Sequence, residues 1–483
     1  VLAAREPEPG AHLEDVTEAF GLGSLRSGRV AAADYDQDGY VDLCFSGRLF
    51  RNEKGKAFRE VTKEAGLNRT GTGALFFDAD NDGNLDLLVT ALPHPFLFRN
   101  GGRRADFTFE DVTTLSGCDQ LVLGGPPDGA AVLDIDNDDW LDFYLAAYEN
   151  PYPQGHPDLL ARNNGDGTFS DVTAERGIDR GGSRCGRGVA CADFDRDGDH
   201  DIYVSNYRLL ANSCWRNDGQ GHFTDIAPET GLLGLDQKGA FGHTIGSCWG
   251  DIDNDGDLDL FCANLAHPRF INQGFSNLSM LYINGGSEQG FAMTEERRAR
   301  GIRFQETHSD PAFADYDNDG DLDLFITAIY KGAPSAFYRN DSKGFFEPIT
   351  FRSRSVVFDG WGQAWFDMDN DGDLDHVIGS GSGVRLQRNL GNRNKWLKVR
   401  LVGKKTNLFG VGSLVTVTTD SGQTLIRELS IGSGTQSQNG FVLHFGLGPD
   451  ATKASVEVRW PSGSTSKPKT RVNRTSVVKN YRG

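Results

Sequence analysis

Asp251-Ile252-Asp253-Asn254-Asp255-Gly256-Asp257-Leu258-Asp259 is the stretch whose reading decides the fold. Counting Asp251 as position 1, carboxylates stand at positions 1, 3, 5 and 9, with glycine at 6 and an aliphatic residue at 8. The pattern recurs from Asp34, Asp78, Asp134, Asp193, Asp315 and Asp367, and all seven copies keep the four aspartates. Carboxylates this close repel one another, so the clustering is favourable only around a cation. A solvated acidic turn explains one copy well and seven copies poorly. Ligand sets made only of oxygen select hard ions, and Ca²⁺ accepts six to eight oxygens in flexible geometry, whereas Mg²⁺ demands a tighter octahedron.

The expected ligands in each loop are the side chains at 1, 3, 5 and 9 and the carbonyl at 7. They are Asp34, Asp36, Asp38, Tyr40 and Asp42 in the first loop, and Asp78, Asp80, Asp82, Asn84 and Asp86 in the second. The third has Asp134, Asp136, Asp138, Trp140 and Asp142, and the fourth Asp193, Asp195, Asp197, Asp199 and Asp201. The fifth has Asp251, Asp253, Asp255, Asp257 and Asp259, and the sixth Asp315, Asp317, Asp319, Asp321 and Asp323. Asp367, Asp369, Asp371, Asp373 and Asp375 make the seventh. The expectation is about seven Ca²⁺ per chain, one per loop. Glycine at position 6 permits the sharp turn. The third loop has Asp139 there, which predicts strain or weaker binding.

These loops are not EF-hands, which need a bidentate Glu at position 12 and flanking helices. Position 12 is Phe45 in the first copy and Cys262 in the fifth. Flanks such as Ala130-Ala131-Val132-Leu133 and Leu141-Asp142-Phe143-Tyr144-Leu145 are strand signals. The loop starts lie 44 to 64 residues apart, a period typical of propellers or arrays. Between loops an Arg-Asn or Ile-Asn pair, a glycine turn and a Phe-x-Asp-Val-Thr segment recur, as at Arg162-Asn163 and Phe169-Ser170-Asp171-Val172-Thr173. The repeat therefore predicts four short strands per unit and an all-β, seven-bladed propeller. One such segment, Leu13-Glu14-Asp15-Val16-Thr17, precedes the first loop, and only one strand follows the last. The N-terminal strand is expected to complete the last blade and protect its edge.

The Asp motifs resemble the FG-GAP (VCBS-type) repeat of integrin α-subunit propellers, over roughly residues 12–391. Beyond Asn392 the loops stop and alternating strands appear, such as Leu397-Lys398-Val399-Arg400-Leu401. Asn394-Lys395-Trp396-Leu397, Gly410-Val411-Gly412, Gly432-Ser433-Gly434, His444-Phe445-Gly446-Leu447-Gly448 and Trp460-Pro461-Ser462-Gly463 resemble the ASPIC/UnbV domain. The combination is similar to the cartilage-acidic-protein-like family. The expected division is a tail over 1–11, a propeller over 12–391 and a small all-β domain over 392–483.

The formal charge of −19 comes from the loops. Setting aside their 28 aspartates at positions 1, 3, 5 and 9 leaves 40 acids against 49 bases. No basic stripe points to nucleic acid, and no apolar run reaches the ~18 residues of a membrane span. Seven cysteines leave at least one thiol unpaired, with disulfides expected only in an exported protein. Millimolar calcium outside cells suits low-affinity loops, and the chain begins at Val1 rather than Met, consistent with a processed, secreted protein, periplasmic or on the cell surface in a bacterium. Glycosylation sequons stand at Asn68, Asn277, Asn340 and Asn473.

The calcium loops read as stabilising elements. Function is expected on the opposite face, where loops on a rigid scaffold carry binding residues: Pro93-His94-Pro95, Tyr148–Asp158 with Tyr152 and His156, Asn206–Asn212 with Tyr207 and Arg208, Ala266–Ser279 with His267 and Arg269, and Tyr330-Lys331. A second ring, at the starts of the first strands, contains Arg29, Thr72, Asp128, Arg187, His243, His308, Asp310 and Trp361. Asp128, His243, His308 and Asp310 are candidates for metal binding or acid–base work at the channel mouth, against the plainer reading of a hydrated polar channel. No nucleophile elbow, P-loop or dinucleotide fingerprint occurs. The leading expectation is a secreted calcium-binding module for adhesion or for binding an extracellular protein or glycan. The alternatives are a lyase- or cyclase-type enzyme at the channel mouth and a subunit of an extracellular assembly.

Overall fold

In each repeat, the residue before position 1 pairs with the aspartate at position 9. The register is Ala33 with Asp42, Phe77 with Asp86, Leu133 with Asp142, Ala192 with Asp201, Gly250 with Asp259, Ala314 with Asp323, and Phe366 with Asp375. Positions 1–8 thus form the tip of an antiparallel hairpin. The computed structural model describes residues 12–178, 184–236, 238–266, 277–404 and 407–480; the expected N-terminal tail, His267 and Arg269 lie outside these.

Seven four-stranded antiparallel sheets follow one another through the repeat region. The first contains Ala31–Ala33, Asp42–Phe45, Arg48–Asn52 and Phe58–Glu60. The last contains Gly360–Phe366, Asp375–Ser380 and Arg385–Asn389, completed by the N-terminal Leu13–Asp15, with Leu13 opposite Asn389. Innermost strands of successive sheets touch in order, and the first meets the last, so the sheets close a ring. Strands such as Asp142–Ala147 and Gly186–Ala192 are buried along their whole length, because a propeller sheet packs a neighbour on each face. The apolar clusters accordingly straddle adjacent sheets: Phe76 and Leu87 join Ala31 and Leu49, and Phe366 and Leu386 join Leu43 and Phe50.

The C-terminal residues form one three-stranded and one four-stranded sheet. Lys395–Val402 pairs antiparallel with Val442–Gly448 and parallel with Arg474–Lys479, and Leu414–Thr419 lies between Thr424–Glu428 and Ala454–Arg459. They share a core including Leu397, Val415, Phe445, Val458 and Trp460.

The segment 430–439 leaves this core and enters the ring. It bonds to the inner strand of all seven sheets. Ala32 N donates to Gln438 O (3.0 Å), Phe76 N to Gln438 Oε1 (2.8 Å), Val132 N to Ile431 O (2.9 Å) and Val189 N to Gly434 O (3.0 Å). Gly434 N donates to Ser247 O (3.0 Å), Thr435 N to Asp310 Oδ1 (2.6 Å) and Gln363 N to Ser437 Oγ (3.0 Å). Glycine is required where the segment grazes the wall: a Cβ on Gly434 would stand 1.9 Å from Asp310 Oδ1. The hydrated channel expected from the sequence is therefore replaced by a polypeptide axle.

All seven cysteines are buried free thiols within the propeller, so the disulfides considered above are not formed. Asn277 and Asn340 are buried and hydrogen-bonded through Nδ2, to Gly234 O (2.9 Å) and Ile252 O (2.6 Å) respectively, which removes them as glycosylation sites. Asn68 and Asn473 are exposed. No helix among the described residues is long and apolar enough to cross a membrane.

Candidate metal centres

Each loop is wound by its own carboxylates. The position-6 amide donates to the position-1 carboxylate, as Gly83 N to Asp78 Oδ2 (3.0 Å) and Gly372 N to Asp367 Oδ2 (2.9 Å). The position-7 amide donates to position 5, as Trp140 N to Asp138 Oδ1 (2.9 Å). Position 6 lies at positive φ in every loop, including Asp139 at 67°, so the third loop keeps the common geometry without glycine. Position 4 is also left-handed, from 54° at Asn81 to 63° at Asn370. Asn occupies it in five loops, and Asn tolerates that region better than most residues.

This turn brings the acidic side chains together. Ligand oxygens of Asp34, Asp36 and Asp42 lie within 4.8 Å of one another, as do those of Asp78, Asp80 and Asp82, of Asp134, Asp136 and Asp142, and of Asp251, Asp253 and Asp255. Burial, with repulsion between the aspartates, pushes the Asp78, Asp134 and Asp251 carboxyls up to about 7 and Asp34 to about 6. Every loop also holds a buried carboxylate oxygen without a hydrogen-bond partner: Asp34 Oδ1 in the first, and Oδ1 of Asp80, Asp136, Asp195, Asp253, Asp317 and Asp369 in the others. Buried oxygens converging without donors fit a hard divalent cation. Position 9 has a second duty. Asp142 accepts from Ile135 N (2.9 Å) through Oδ2 and from Asn163 N (2.6 Å) through Oδ1, which pins hairpin and third strand together.

Two sets of residues missed by sequence reasoning tie the loops to one another. The first is the Asn of each recurrent Arg-Asn or Ile-Asn pair. Asn163 Nδ2 donates to Leu141 O (3.2 Å) in its own loop and to Ala79 O (2.8 Å) in the preceding one. Asn52, Asn100, Asn217, Asn284, Asn340 and Asn389 do the same around the ring. The second set is position 4, whose side chain reaches position 6 or 7 of the next loop. Gln37 meets Gly83, Asn81 meets Asp139, Asn137 meets Asp199, Arg196 meets Asp257, Asn254 meets Asp321, Asn318 meets Asp373, and Asn370 returns to Gly39. The recurrence of Asn at both places was the available signal.

The C-terminal sheets rest on this loop face. Lys398 Nζ pairs with Asp367 Oδ2 at 2.5 Å, Gly446 N donates to Asp315 Oδ2 at 2.7 Å, and Arg459 pairs with Asp193. Glu428 is ion-paired with His200 at 3.0 Å, so the one loop with a polar residue at position 8 uses it to dock the second domain.

The four axial candidates do not form a set of free acid–base groups. Asp128 is clamped between Arg29 (2.8 Å) and Arg187 (2.6 Å), which hold its carboxyl below the usual range against the effect of burial. Arg187 lies over the rings of Tyr148, Tyr207 and Trp361. Asp310 is locked to Thr435 and Ser437. His308 Nδ1 is bonded to Ser279 Oγ at 2.7 Å, and burial lowers its pKa to about 3. His243 packs its ring 4.6 Å from that of Tyr207. On the face opposite the loops, Arg208 is paired with Glu149 at 2.5 Å and His156 Nε2 with Asn150 O at 2.5 Å. Leu92, Val122, Tyr152, Tyr330 and Phe358 are exposed at the connections on that side.

Residues 403–481 match the ASPIC and UnbV family, and residues 134–204 and 315–378 match the FG-GAP-like repeat. The chain is 27% identical over 478 residues to cartilage acidic protein 1 of Xenopus tropicalis, covering 90% of this chain and 70% of that protein. It is 25% identical over 481 residues to cartilage acidic protein 1 of Homo sapiens, covering 90% and 68%. Among solved structures, an Agrocybe aegerita lectin that recognises non-reducing terminal N-acetylglucosamine aligns at a TM-score of 0.40 with 14% identity, over 78% of this chain and 93% of the lectin. BBS1N in complex with ARL6DN aligns at 0.44 with 11% identity, over 80% and 98%. The chain carries FG-GAP-like repeats and an ASPIC and UnbV domain.

Proposed function

We propose that this chain of FG-GAP-like repeats capped by an ASPIC and UnbV domain is a secreted, calcium-stabilised propeller acting as an extracellular binding or adhesion module. The carrying observation is the buried, partnerless carboxylate oxygen in each of the seven loops. Such groups stay ionised in a protein interior only when a cation compensates them. Calcium is the favoured ion because the donors are all oxygens on flexible loops, and millimolar calcium outside cells would fill sites of modest affinity. The likeness to cartilage acidic protein 1 supports a matrix- or adhesion-type role. We assign the propeller to residues 12–391 and the capping domain to 392–483.

Partner contacts belong on the face opposite the loops, where exposed Tyr152, Tyr330 and Phe358 sit on connections held by a rigid ring. The partner class is an extracellular protein or glycan. No observation favours the enzymatic alternative: Asp128 and His308 are held by neighbours, His243 packs on Tyr207, and Asp310 is held by the axle.

The test is metal content and thermal unfolding of protein stripped with EDTA and titrated with Ca²⁺. About seven bound ions with a large stabilisation is the expected result. Few ions and an unchanged melting temperature would refute the ion-stapled scaffold.

A further inference from the structure

A cavity of about 180 Å³ lies between the loop-side ends of the inner strands and the capping domain, walled by Trp249, Phe313 and Leu258 from the propeller and by Arg427 from the cap. Its size slightly exceeds the ~150 Å³ void that takes up benzene. It is not a plain apolar void. Trp365 lines it, is 4% exposed and has an Nε1–H without a partner. His444 lines it too; its Nε2–H donates to Asn318 Oδ1 at 2.6 Å, which leaves Nδ1 a buried acceptor with no donor.

Arg427 is the informative group. Its guanidinium donates only to two carbonyls, Ile426 O at 2.7 Å and Gly320 O at 3.3 Å, and no carboxylate lies within ion-pair reach among the described residues. Asp251, Asp315, Asp321 and Asp323 act on it through their charge without closing an ion pair, and Asp251 keeps both carboxylate oxygens without a hydrogen-bond partner. Glu428 binds His200, and Asp315 accepts the amides of Gly320 and Gly446 through Oδ2 while its Oδ1 has no hydrogen-bond partner. A half-buried guanidinium with spare donors, lining the same cavity as an indole N–H, is a recognition element for a carboxylate. Most small-molecule sites have this form, an apolar hollow with a few convergent polar groups.

We infer that this interdomain cavity binds a small aromatic monocarboxylate, its ring against Trp249 and Phe313 and its carboxylate on Arg427 and the Trp365 indole N–H. The inference rests on the ion-loop reading in one respect: Asp251 and Asp315, which flank Arg427, must be engaged by cations. The metal content of every sample is therefore measured alongside binding, so that empty loops and an empty cavity are distinguished.

The experiment is calorimetric titration of the full chain in Ca²⁺ with benzoate, benzamide and toluene. Benzoate is expected to bind best. Arg427→Gln should weaken benzoate by at least about tenfold, the loss of a charge-assisted hydrogen bond, and leave toluene unaffected. Retained toluene binding by Arg427→Gln shows that this variant is folded, and Leu258→Trp, which fills the hollow, should abolish binding of all three. Equal affinity for benzoate and benzamide would overturn the carboxylate assignment. Absence of binding by all three in folded, calcium-replete protein would reduce the cavity to a water-filled gap and overturn the site itself.

Discussion

The side-chain amide of Asn370 donates to the carbonyl of Gly39 at 2.9 Å, joining the last aspartate loop to the first across 331 residues. That bond closes a belt in which position 4 of each loop holds position 6 or 7 of the next. A deeper belt runs beneath it, made by the asparagines that bridge neighbouring loops from the third strands. The two differ in burial, and burial sets their energetic weight.

Asn163→Ala removes a fully buried amide and leaves the carbonyls of Ala79 and Leu141 without a donor. The expected cost is about 2–4 kcal/mol. Asn370→Ala removes the solvent-exposed bond to Gly39 and the part-buried bond that Asn370 Oδ1 accepts from Lys398 Nζ at 3.2 Å, and should cost about 1–1.5 kcal/mol. Urea unfolding in Ca²⁺ compares them; equal losses would mean that the deeper belt is no more important than the outer one.

Asp139 occupies a left-handed position at φ 67° where six other loops have glycine. Asp139→Gly should stabilise the protein by about 0.5–1 kcal/mol and raise the third loop's calcium affinity. A lower melting temperature would show that the Asp139 side chain contributes more than its backbone costs.

Metal-free protein should lose stability as pH rises. Asp78, Asp134 and Asp251 have folded-state values near 7 against an ordinary 3.8. The folded chain therefore holds more protons than the unfolded one between about pH 4 and pH 7, and unfolding free energy falls with pH across that window. In EDTA the melting temperature should drop by several degrees from pH 5 to pH 8, while in saturating Ca²⁺ the same interval should be nearly flat. A flat EDTA profile would contradict the burial of these carboxyls.

Asp310→Ala leaves the Thr435 amide and the Ser437 hydroxyl unpaired inside the ring. The expected loss is about 2–4 kcal/mol, with faster hydrogen exchange along Gly186–Ala192 and His243–Gly250, the inner strands that the axle bonds. Protection unchanged on those strands would mean that the axle is a passive filler.

Much of this was legible in the chain. Four aspartates at fixed spacing, flanked by apolar runs, gave the hairpins, the repeat and the N-terminal closure, because these depend on local pattern and on a period. The axle was not legible. Gly432-Ser433-Gly434 was legible only as a stretch resembling the ASPIC/UnbV domain, and its destination is set by the shape of a cavity that other residues build. The same limit applied to the axial candidates. Asp128 and Asp310 carry the right chemistry for a site, and only the fold reveals that two arginines hold one and a distant loop holds the other. The asparagine belts were visible as recurrences without a role, since a bond to the neighbouring sheet leaves no trace in local spacing.

The axle also dictates an order of manufacture. Leu13–Asp15 leaves the ribosome before every other strand of the ring, yet its partner strand at Arg385–Asn389 is the last of them to be made and segment 430–439 comes later still. Such long-range closure is slow and leaves sheet edges open meanwhile. A nascent chain arrested between Asn389 and Ser430 has every strand of the ring and a hollow hub. Premature termination there should therefore produce a species that chaperones and proteases recognise, and the later-made segment 430–439 acts as the quality seal on the ring made before it.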